Sequence, residues 1–360
     1  MTTRDAFGLM PDELDAMGPP NTGAYLFGRI QRATRWELDA QGQAVPPLPG
    51  ARARAFVAEH LNLSMPEIVS RETSSDGSTK VGLRLADGAL IEAVHMPREV
   101  RSPRVTVCIS SQVGCALGCT FCATARMGLV RNLSAHEIVG QVQSVMRGIG
   151  PVDPQRLTLV FMGMGEPLHN ITQVLRAVSV LTDQRGLGLA ESRITVSTSG
   201  LVPQIRELAA ASPRPQLALS LNATTDEARA RTMPITNKYG IAELRQALLD
   251  FPTRSHEKIT VAYVLLAGEN DTDADADRLA AFVQGFRHVL NVIPYNVFPG
   301  SPFARVQDER AQAFVQRLHA AGCLVTVRRT RGPDVMGACG QLATESTRPV
   351  RLRRAAPGSP

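Results

Sequence analysis

Strand-like and helix-like segments alternate over residues 104–343, and this pattern restricts the fold more than any other feature of the chain. Six β-branched runs (VTVCIS, LTLVFMG, ITVSTSG, LALSL, ITVAYVLL and LNVIPYNVF) are separated by segments with helical apolar spacing, and a last run, LVTVRRT, ends the series. Strands that alternate with helices form parallel βαβ units. Six units are too few for the eight-fold closed barrel. We therefore predict an α/β fold with an open, partial (β/α)6 barrel, and a doubly wound sheet is the alternative.

The segments outside this barrel predict a small accessory unit and an extension. Residues 1–75 contain two helix-like stretches, YLFGRIQRATRWEL and ARARAFVAEHL, which indicate a small helical accessory domain. Residues 76–103 carry two β-rich runs that flank Ala-Asp-Gly, a signal for a β-hairpin. The barrel occupies residues 104–343, and the basic, Pro-rich residues 344–360 predict a disordered tail.

Charge and hydropathy indicate a cytoplasmic protein. The formal net charge is +6 and the pI is about 9.3, a modest indication of a nucleic-acid partner. No window approaches the roughly 18 unbroken apolar residues of a membrane span, and the N-terminal residues lack the apolar core of a secretory signal. We expect no membrane association. In the reducing cytoplasm, clustered cysteines indicate metal ligands or catalysts before disulfides.

Four of the six cysteines lie within CISSQVGCALGCTFC (108–122). Cys115, Cys119 and Cys122 have C-x3-C-x2-C spacing and follow the first barrel strand. Three thiolates can hold a cubane iron–sulfur cluster and leave one iron open to a chelating amino and carboxylate group. The spacing resembles the signature of the radical SAM superfamily, whose cluster binds S-adenosylmethionine (SAM) in this way. The alternatives are a zinc site completed by Cys108 and a thioredoxin-like C-x2-C pair, which gives Cys115 no role.

Polar residues near the ends of later strands are candidates for contacting SAM. GMGEP (163–167) follows the second strand and resembles the superfamily's GGEP motif, which receives the amino group of SAM. Taken singly, each such residue is more often a strand-end hydrogen bonder, but the ends of parallel strands gather at one face. The candidate cofactor-binding residues are Gly165, Glu166, Ser197, Ser220, Leu221, Asn222 and Asn296.

A narrower resemblance spans roughly residues 90–343. CISSQVGCALGCTFCATARMGLVRNL, FMGMGEPLHN, STSGLVP, LALSLNA, MPITNKY, PYNVFPG and VRRTRGPDVMGACGQLA are similar to motifs of the RlmN/Cfr family of radical SAM RNA methyltransferases. Two cysteines separate that family from other radical SAM enzymes. One precedes the cluster motif, here Cys108, and the other lies in an ACGQL segment, here Cys339. One residue departs from the family pattern, since Asn222 stands where histidine usually follows Ser-Leu.

The resemblance implies a two-cysteine mechanism with one [4Fe–4S] cluster and two SAM molecules per turnover. The first SAM methylates the thiolate of Cys339. The second SAM, chelated to the cluster, is cleaved reductively to a 5′-deoxyadenosyl radical. This radical takes a hydrogen atom from the methyl group on Cys339. The resulting carbon radical adds to adenine. Cys108 then releases the RNA by forming a transient disulfide with Cys339.

A proton acceptor and RNA contacts are also implied by the resemblance. Glu92 lies on the strand before the cluster strand, where the family has a glutamate. The alternative is a solvent-facing hairpin residue, because Ile91 and Ala93 could face inward by alternation. Three arginines just before Cys339 are candidates for holding RNA phosphates, namely Arg328, Arg329 and Arg331. The alternative is that they form a solvated basic face.

We therefore predict a radical SAM methyltransferase that methylates carbon 2 of an adenosine in 23S rRNA, with tRNA as a further candidate substrate. The alternatives are a carbon-8 adenosine methylase of the resistance type, a radical SAM enzyme with another substrate, and a non-catalytic iron–sulfur or zinc protein that binds RNA. The expected partners are structured RNA and a reductant such as flavodoxin, and a monomer is expected.

Overall fold

The computed structural model describes residues 3–18, 21–32, 37–38, 44–48, 50–98, 104–149, 153–328 and 330–344. Two of the sequence-based predictions fall outside these residues. They are Arg329 and, apart from Thr344, the tail predicted for residues 344–360.

Short helices and small strand pairs form the N-terminal region. Leu26, Phe27 and Ile30 are buried on one face of the second helix, as the amphipathic pattern predicts. The second predicted helix is confirmed, and the first is confirmed as far as Arg32. Beyond it, residues 33–36 lie outside the described residues, and Glu37–Leu38 form a strand. A further short helix, PDELDAM, has too polar a sequence to be predicted from apolar spacing. The elements are β1 (Arg4–Asp5), α1 (Pro11–Met17), α2 (Gly23–Arg32), β2 (Glu37–Leu38), β3 (Ala44–Val45), α3 (Ala51–His60) and β4 (Leu61–Asn62).

The rest of the described chain alternates between strands and helices. The strands are β5 (Glu67–Thr73), β6 (Thr79–Arg84), β7 (Leu90–Arg98), β8 (Arg104–Cys108), β9 (Gln112–Gly114), β10 (Leu129–Asn132), β11 (Leu157–Phe161), β12 (Ile194–Thr198), β13 (Gln216–Ser220), β14 (Ile259–Leu265), β15 (His288–Pro294) and β16 (Val325–Val327). The helices are α4 (Ala123–Arg126), α5 (Ala135–Ile149), α6 (Ile171–Thr182), α7 (Val202–Ala209), α8 (Asp226–Thr232), α9 (Ile241–Leu249), α10 (Asp273–Phe282) and α11 (Asp308–Ala320).

Among the described strands, ten form one sheet in the order β16-β15-β14-β13-β12-β11-β8-β7-β6-β5. Within this sheet, β8 and the strands from β11 to β16 are parallel, so the predicted succession of βαβ units is confirmed. Their order follows the chain without a reversal. The doubly wound alternative is wrong, because that topology requires a point at which the strand order reverses.

The antiparallel extension is larger than the predicted hairpin. β6 and β7 pair as predicted, but β5 adds a third strand on the far side of β6. Since β7 also pairs with β8, the extension continues the parallel sheet. The predicted boundary at residue 75 is therefore misplaced, because β5 belongs to the sheet and not to the helical region. β5 is an edge strand with almost every residue exposed, so it lacks the apolar alternation by which strands are predicted.

Apolar faces of the helices pack on the parallel strands and form the core. On β14, for example, Tyr263 stacks on Phe314 of α11 with ring centroids 5.6 Å apart. Ser134 and Glu137, three residues apart, have the spacing that predicts a capping box, and the structure confirms this cap at the start of α5. Ser134 N donates to Glu137 Oε2 at 2.9 Å, and Glu137 N donates to Ser134 Oγ at 3.2 Å. In the described part of the chain, no helix has the length and apolar character needed to span a bilayer.

Candidate active site

One cavity of about 150 Å³ opens at the carboxyl ends of the parallel strands. The loops that follow different strands meet at this edge of the sheet, so residues far apart in sequence become neighbours. The predicted site residues that line it are Cys115, Cys119, Cys122, Gly165, Glu166, Ser197, Ser220, Asn222, Asn296 and Cys339.

The cysteine loop is held in a fixed shape by a short hairpin. β9 pairs with β10, and Cys115 N donates to the Gly128 carbonyl at 2.9 Å. Gly114 has a φ of +75°, and a Cβ atom there would lie 1.8 Å from the Gly128 carbonyl oxygen. Only glycine fits this close approach of two backbones. The tight crossing therefore sets where the first of the three cysteines enters the cavity.

The three thiols lie in a buried environment that disfavours their charged form. Burial raises the pKa of Cys115 to about 12, and it also raises the pKa of Cys119 and of Cys122. Thiols in such an environment bind a metal centre as thiolates, because the positive charge of the metal displaces the proton. Among the described residues, no three His, Cys, Asp or Glu side chains are grouped as ligands of a single ion.

Glu166 supplies a buried carboxylate to the same cavity. Its Oε1 accepts from Leu168 N at 3.1 Å and its Oε2 accepts from Ser199 N at 2.8 Å. Its own amide donates to Gln112 Oε1 at 2.8 Å. Burial raises the pKa of Glu166, and these hydrogen bonds oppose the rise. Gly165 has a φ of +100° and would place a Cβ 2.6 Å from Gln112, so the turn that presents Glu166 requires glycine. The remaining lone pairs of the carboxylate suit an ammonium group.

Asn222 uses its side chain to join the ends of two strands. It has a φ of +57°, a conformation that asparagine adopts more readily than most residues. Its Oδ1 accepts from Val264 N at 2.9 Å, and its Nδ2 contacts Met233 Sδ at 3.4 Å. Leu221 differs from the other candidates, because it is not among the residues that line the cavity and its side chain is fully buried in the core. Its contact with SAM stays a prediction.

The segment that carries Cys339 is anchored on two sides of the cavity. Asn296 Nδ2 donates to the Cys339 carbonyl at 3.2 Å, and Asn296 Oδ1 accepts from Thr330 Oγ1 at 2.9 Å. Ala123 N donates to the Gly340 carbonyl at 2.7 Å. Asn296 thus lines the cavity as predicted and also positions the Cys339 segment, a role that the sequence did not indicate.

Cys108 and Cys339 meet in a second, smaller cavity of about 20 Å³. Cys339 lines both cavities, whereas Cys108 lines only the second. The pKa of Cys108 is raised to about 12, mainly by burial and also by the neighbouring Cys339, while Arg328 opposes the rise. The structure therefore places Cys339 between Cys108 and the three clustered cysteines, although these residues are far apart in sequence.

Two arginines predicted to hold RNA phosphates, Arg328 and Arg331, contact other groups of the protein. Arg328 is half-buried, lines both cavities and has its Nη1 3.4 Å from Met162 Sδ. It faces Cys108 and Cys339 instead of lying on an outer basic face. Arg331 forms an ion pair with Asp76 at 3.6 Å. The position of Arg328 was missed because a run of arginines does not reveal which one turns inward.

Glu92 lies in a separate groove. It is buried, so the solvent-facing alternative is wrong, and its Oε1 lies 3.6 Å from Lys80 Nζ. Its Oε2 has no hydrogen-bond partner among the described residues. Burial raises the pKa of Glu92, and Lys80 opposes the rise. Gln341 and Ala343 line this groove, whereas Leu342 lines the cysteine cavities, so the chain after Cys339 separates the two.

A polar latch fastens the turn between β5 and β6 to the loop before Cys339. Ser74 Oγ and Ser75 N both donate to Asp334, the latter at 3.1 Å, and Gly332 N donates to Asp76 Oδ2 at 3.2 Å. The hydrogen bond from Ser74 lowers the pKa of Asp334. The antiparallel extension therefore holds the Cys339 segment in place.

Asp334→Ala is expected to loosen this latch without unfolding the chain. It removes the two hydrogen bonds that the carboxylate accepts from Ser74 and Ser75. We expect amide hydrogen exchange in residues 332–343 to quicken by roughly a few-fold, because the loop then opens more often. Mass spectrometry of the exchanging peptides measures this. Asp153→Ala, at the opposite end of the parallel strands, is the control, and equal exchange in both variants would contradict the latch.

Comparison with known proteins places the chain in a family. The radical SAM superfamily model matches residues 109–280. The dual-specificity RNA methyltransferase RlmN of Cereibacter sphaeroides (strain ATCC 17029) is 46% identical over 315 residues, 84% of this chain and 79% of the relative. That of Anaeromyxobacter sp. (strain Fw109-5) is 45% identical over 338 residues, 91% and 88% of the two chains. This chain belongs to the RlmN family.

The solved structures agree with membership of the RlmN family. A radical SAM methyltransferase from Sphaerobacter thermophilus has a TM-score of 0.84 and 38% identity, covering 93% of this chain and 98% of that one. The sequence-based prediction of the family is confirmed, and the chain is a radical SAM methyltransferase.

Membership of a radical SAM family implies a [4Fe–4S] cluster and SAM. The residues present fit both groups. Cys115, Cys119 and Cys122 supply three thiols to one cavity, and Glu166 supplies a carboxylate there for the ammonium group of SAM. The zinc and thioredoxin alternatives are displaced by the family assignment.

Proposed function

We propose that this RlmN-family chain methylates carbon 2 of an adenosine in 23S rRNA and in tRNA, with Cys339 as the methyl carrier and Cys108 as the resolving thiol. One observation carries the proposal, namely that Cys339 lines both the cavity of the three clustered cysteines and the cavity of Cys108. The names of the RlmN relatives, dual-specificity RNA methyltransferases, support an RNA substrate.

Cys339 acts first, as a nucleophile. Its thiolate attacks the methyl group of one SAM, so that a carbon–sulfur bond forms and S-adenosylhomocysteine leaves. Cys108 does not compete in this step, because burial raises its pKa to about 12 and keeps it a protonated thiol. Asn296 and Ala123 hold the backbone around Cys339 and so keep the methylated sulfur at the mouth of the cavity.

A second SAM is required for transfer to carbon. When bound by the three cysteines, the cluster supplies the electron for reductive cleavage of that SAM. Transfer of the activated methyl carbon to adenine joins Cys339 to the RNA. Cys108 loses its proton as it attacks the sulfur of Cys339, and the nearby Arg328 stabilises the negative charge that develops there. The Cys108–Cys339 disulfide forms as the carbon–sulfur bond breaks, and the released carbon takes up a proton to complete the methyl group. The surplus electron of the adduct passes to the external redox partner. A reductant such as flavodoxin then restores both thiols.

Glu92 is the proposed acceptor of the proton that adenine loses. We expect Glu92→Gln to slow methylation by about 10²-fold or more, the usual contribution of a general base. Since burial raises the pKa of Glu92, wild-type activity should fall as the pH drops through that raised value, earlier than for an exposed glutamate. Initial rates across the pH range measure this, and the variant should lack the acid limb. Glu72→Gln is the control, because Glu72 also lies beside Lys80. A wild-type rate in Glu92→Gln would show that Glu92 is not the proton acceptor.

The product decides the proposal. Enzyme reconstituted anaerobically with iron and sulfide would be incubated with SAM, reductant and RNA from a host that lacks adenine-carbon methylases. Mass spectrometry of the nucleosides is expected to show 2-methyladenosine in 23S rRNA and in tRNA. Appearance of 8-methyladenosine would instead assign the carbon-8 alternative. Neither product, with SAM still cleaved, would show that the substrate is a different molecule.

A further inference from the structure

Arg229 on α8 is a fully buried cation whose hydrogen-bond partners are all neutral. Its Nε donates to the Leu221 carbonyl at 2.9 Å and its Nη1 donates to Thr236 Oγ1 at 2.9 Å. Its Nη2 donates to the carbonyls of Ser199 at 2.5 Å and Ser220 at 3.2 Å. Its exposed fraction is 0%, and no Asp or Glu among the described residues lies within the 4.0 Å of an ion pair.

A buried charge without a counter-charge is costly, so this arrangement calls for an explanation. Elsewhere the chain follows the usual rule, since buried Arg214 lies 2.7 Å from the Glu257 carboxylate. Burial lowers the pKa of Arg229 to about 10, which still leaves the guanidinium charged at neutral pH. The positive charge is therefore retained in the interior. Asp226 and Glu166 are within its electrostatic reach, but neither of these described residues forms an ion pair with it.

The charge lies directly behind the cavity of the three cysteines. Ser199 and Ser220, whose carbonyls it binds, both line that cavity, and the Ser199 amide donates to Glu166. The last turn of α8 also touches the cysteine loop, because Thr120 N donates to the Thr232 carbonyl at 3.0 Å. Arg229 is within electrostatic reach of Cys119. Its helix thus connects the strand ends to the loop that holds the thiols.

We propose that Arg229 is the built-in counter-charge of the iron–sulfur cluster and raises its reduction potential. A cluster held by three thiolates is an anion, and its negative charge grows by one when it accepts an electron. A fixed cation behind the cavity wall stabilises the reduced form more than the oxidised form. Net charge and burial are among the quantities that set the potential of such clusters. The inference rests on the cluster of the proposed function, and not on which carbon of the RNA is methylated.

A matched pair of substitutions at Thr236 tests the effect of the Arg229 charge on the cluster while leaving Arg229 in place. Thr236→Asp puts a carboxylate on Arg229, and the guanidinium keeps that carboxylate ionised. Thr236→Asn offers a neutral acceptor of the same size. The reconstituted proteins, without RNA, would be titrated with dithionite and mediators while the reduced cluster is followed by electron paramagnetic resonance. We expect a more negative potential for the aspartate variant than for the asparagine variant, which should stay near wild type.

Substitutions of Arg229 itself provide a second test. Arg229→Gln should shift the potential to a more negative value, whereas Arg229→Lys, which keeps the charge, should stay near wild type. Arg214→Gln removes a buried arginine that is paired elsewhere and should leave the potential unchanged.

The outcomes separate this inference from the proposed function. Equal potentials for the two Thr236 variants, or a wild-type potential for Arg229→Gln with full iron content, would overturn the role of Arg229. If a variant at one of these two positions fails to bind iron, the pair of variants at the other position tests the role of Arg229. If wild-type protein binds no iron and sulfide, the chain holds no cluster and the proposed function fails as well. A missing methylated nucleoside in the RNA assay would contradict only the proposed function, because the potentials are measured without RNA.

Discussion

Cys339→Ala is expected to abolish RNA methylation while SAM is still cleaved to 5′-deoxyadenosine. Cys339 lines the cavity of the clustered cysteines and is the proposed carrier of the methyl carbon. Loss of a covalent nucleophile leaves no alternative route, so the rate of methylation should fall by more than about 10³-fold. The three cysteines and Glu166 are untouched, so the cluster and SAM should still bind. Nucleoside mass spectrometry and chromatography of the SAM products measure the two activities separately.

Cys323→Ala is the matched control for this experiment. Cys323 is also buried, but it lies between α11 and β16 and lines neither cysteine cavity. Its replacement should leave methylation unchanged, apart from a modest loss of stability. RNA methylation that persists in Cys339→Ala at the rate of this control would rule out the methyl-carrier role.

Cys108→Ala is expected to trap the protein covalently on its RNA. Cys108 shares a small cavity with Cys339 and is the thiol proposed to attack the sulfur of that residue. Without it, the bond between Cys339 and the adenine carbon is not resolved, so each enzyme molecule should stop after one turnover. A denaturing gel with radiolabelled RNA should show a band that contains both protein and RNA, and nuclease treatment should remove the RNA from it.

The double variant Cys108→Ala with Cys339→Ala identifies the attachment point. It should give no covalent band, because the residue that carries the methyl group is gone. A band that persists in the double variant would place the attachment elsewhere. Multiple turnovers by Cys108→Ala would show that another group resolves the adduct.

Local patterns in the sequence predicted the elements well and the contacts between them poorly. The parallel strands from β8 to β15 and the capping box of α5 follow from apolar periodicity and a spacing of three residues, which are properties of neighbouring residues. In contrast, α8, with the sequence DEARART, has no apolar stripe and was missed. Its Arg229 is fully buried, although a charged residue is normally expected at the surface.

Exposure at an edge hid another part of the fold. β5 is stabilised by its ladder with β6, and its side chains are almost all solvated, so the strand leaves little trace in the order of polar and apolar residues. Leu221 shows how the two faces of a strand differ. Its neighbours on the motif line the cavity, but alternation of side chains turns Leu221 into the core.

The sequence by itself determined the parallel α/β architecture, the cysteine motif and the family, because periodicity and motif spacing are encoded in short stretches of chain. Only the tertiary structure decided that Cys339 lies between Cys108 and the cluster cysteines, that Glu92 faces a separate groove, and that Arg229 lies unpaired behind the cavity. These relations depend on how loops from separate strands meet at one edge of the sheet. Such a meeting is set by the packing of the whole chain and leaves no local signal.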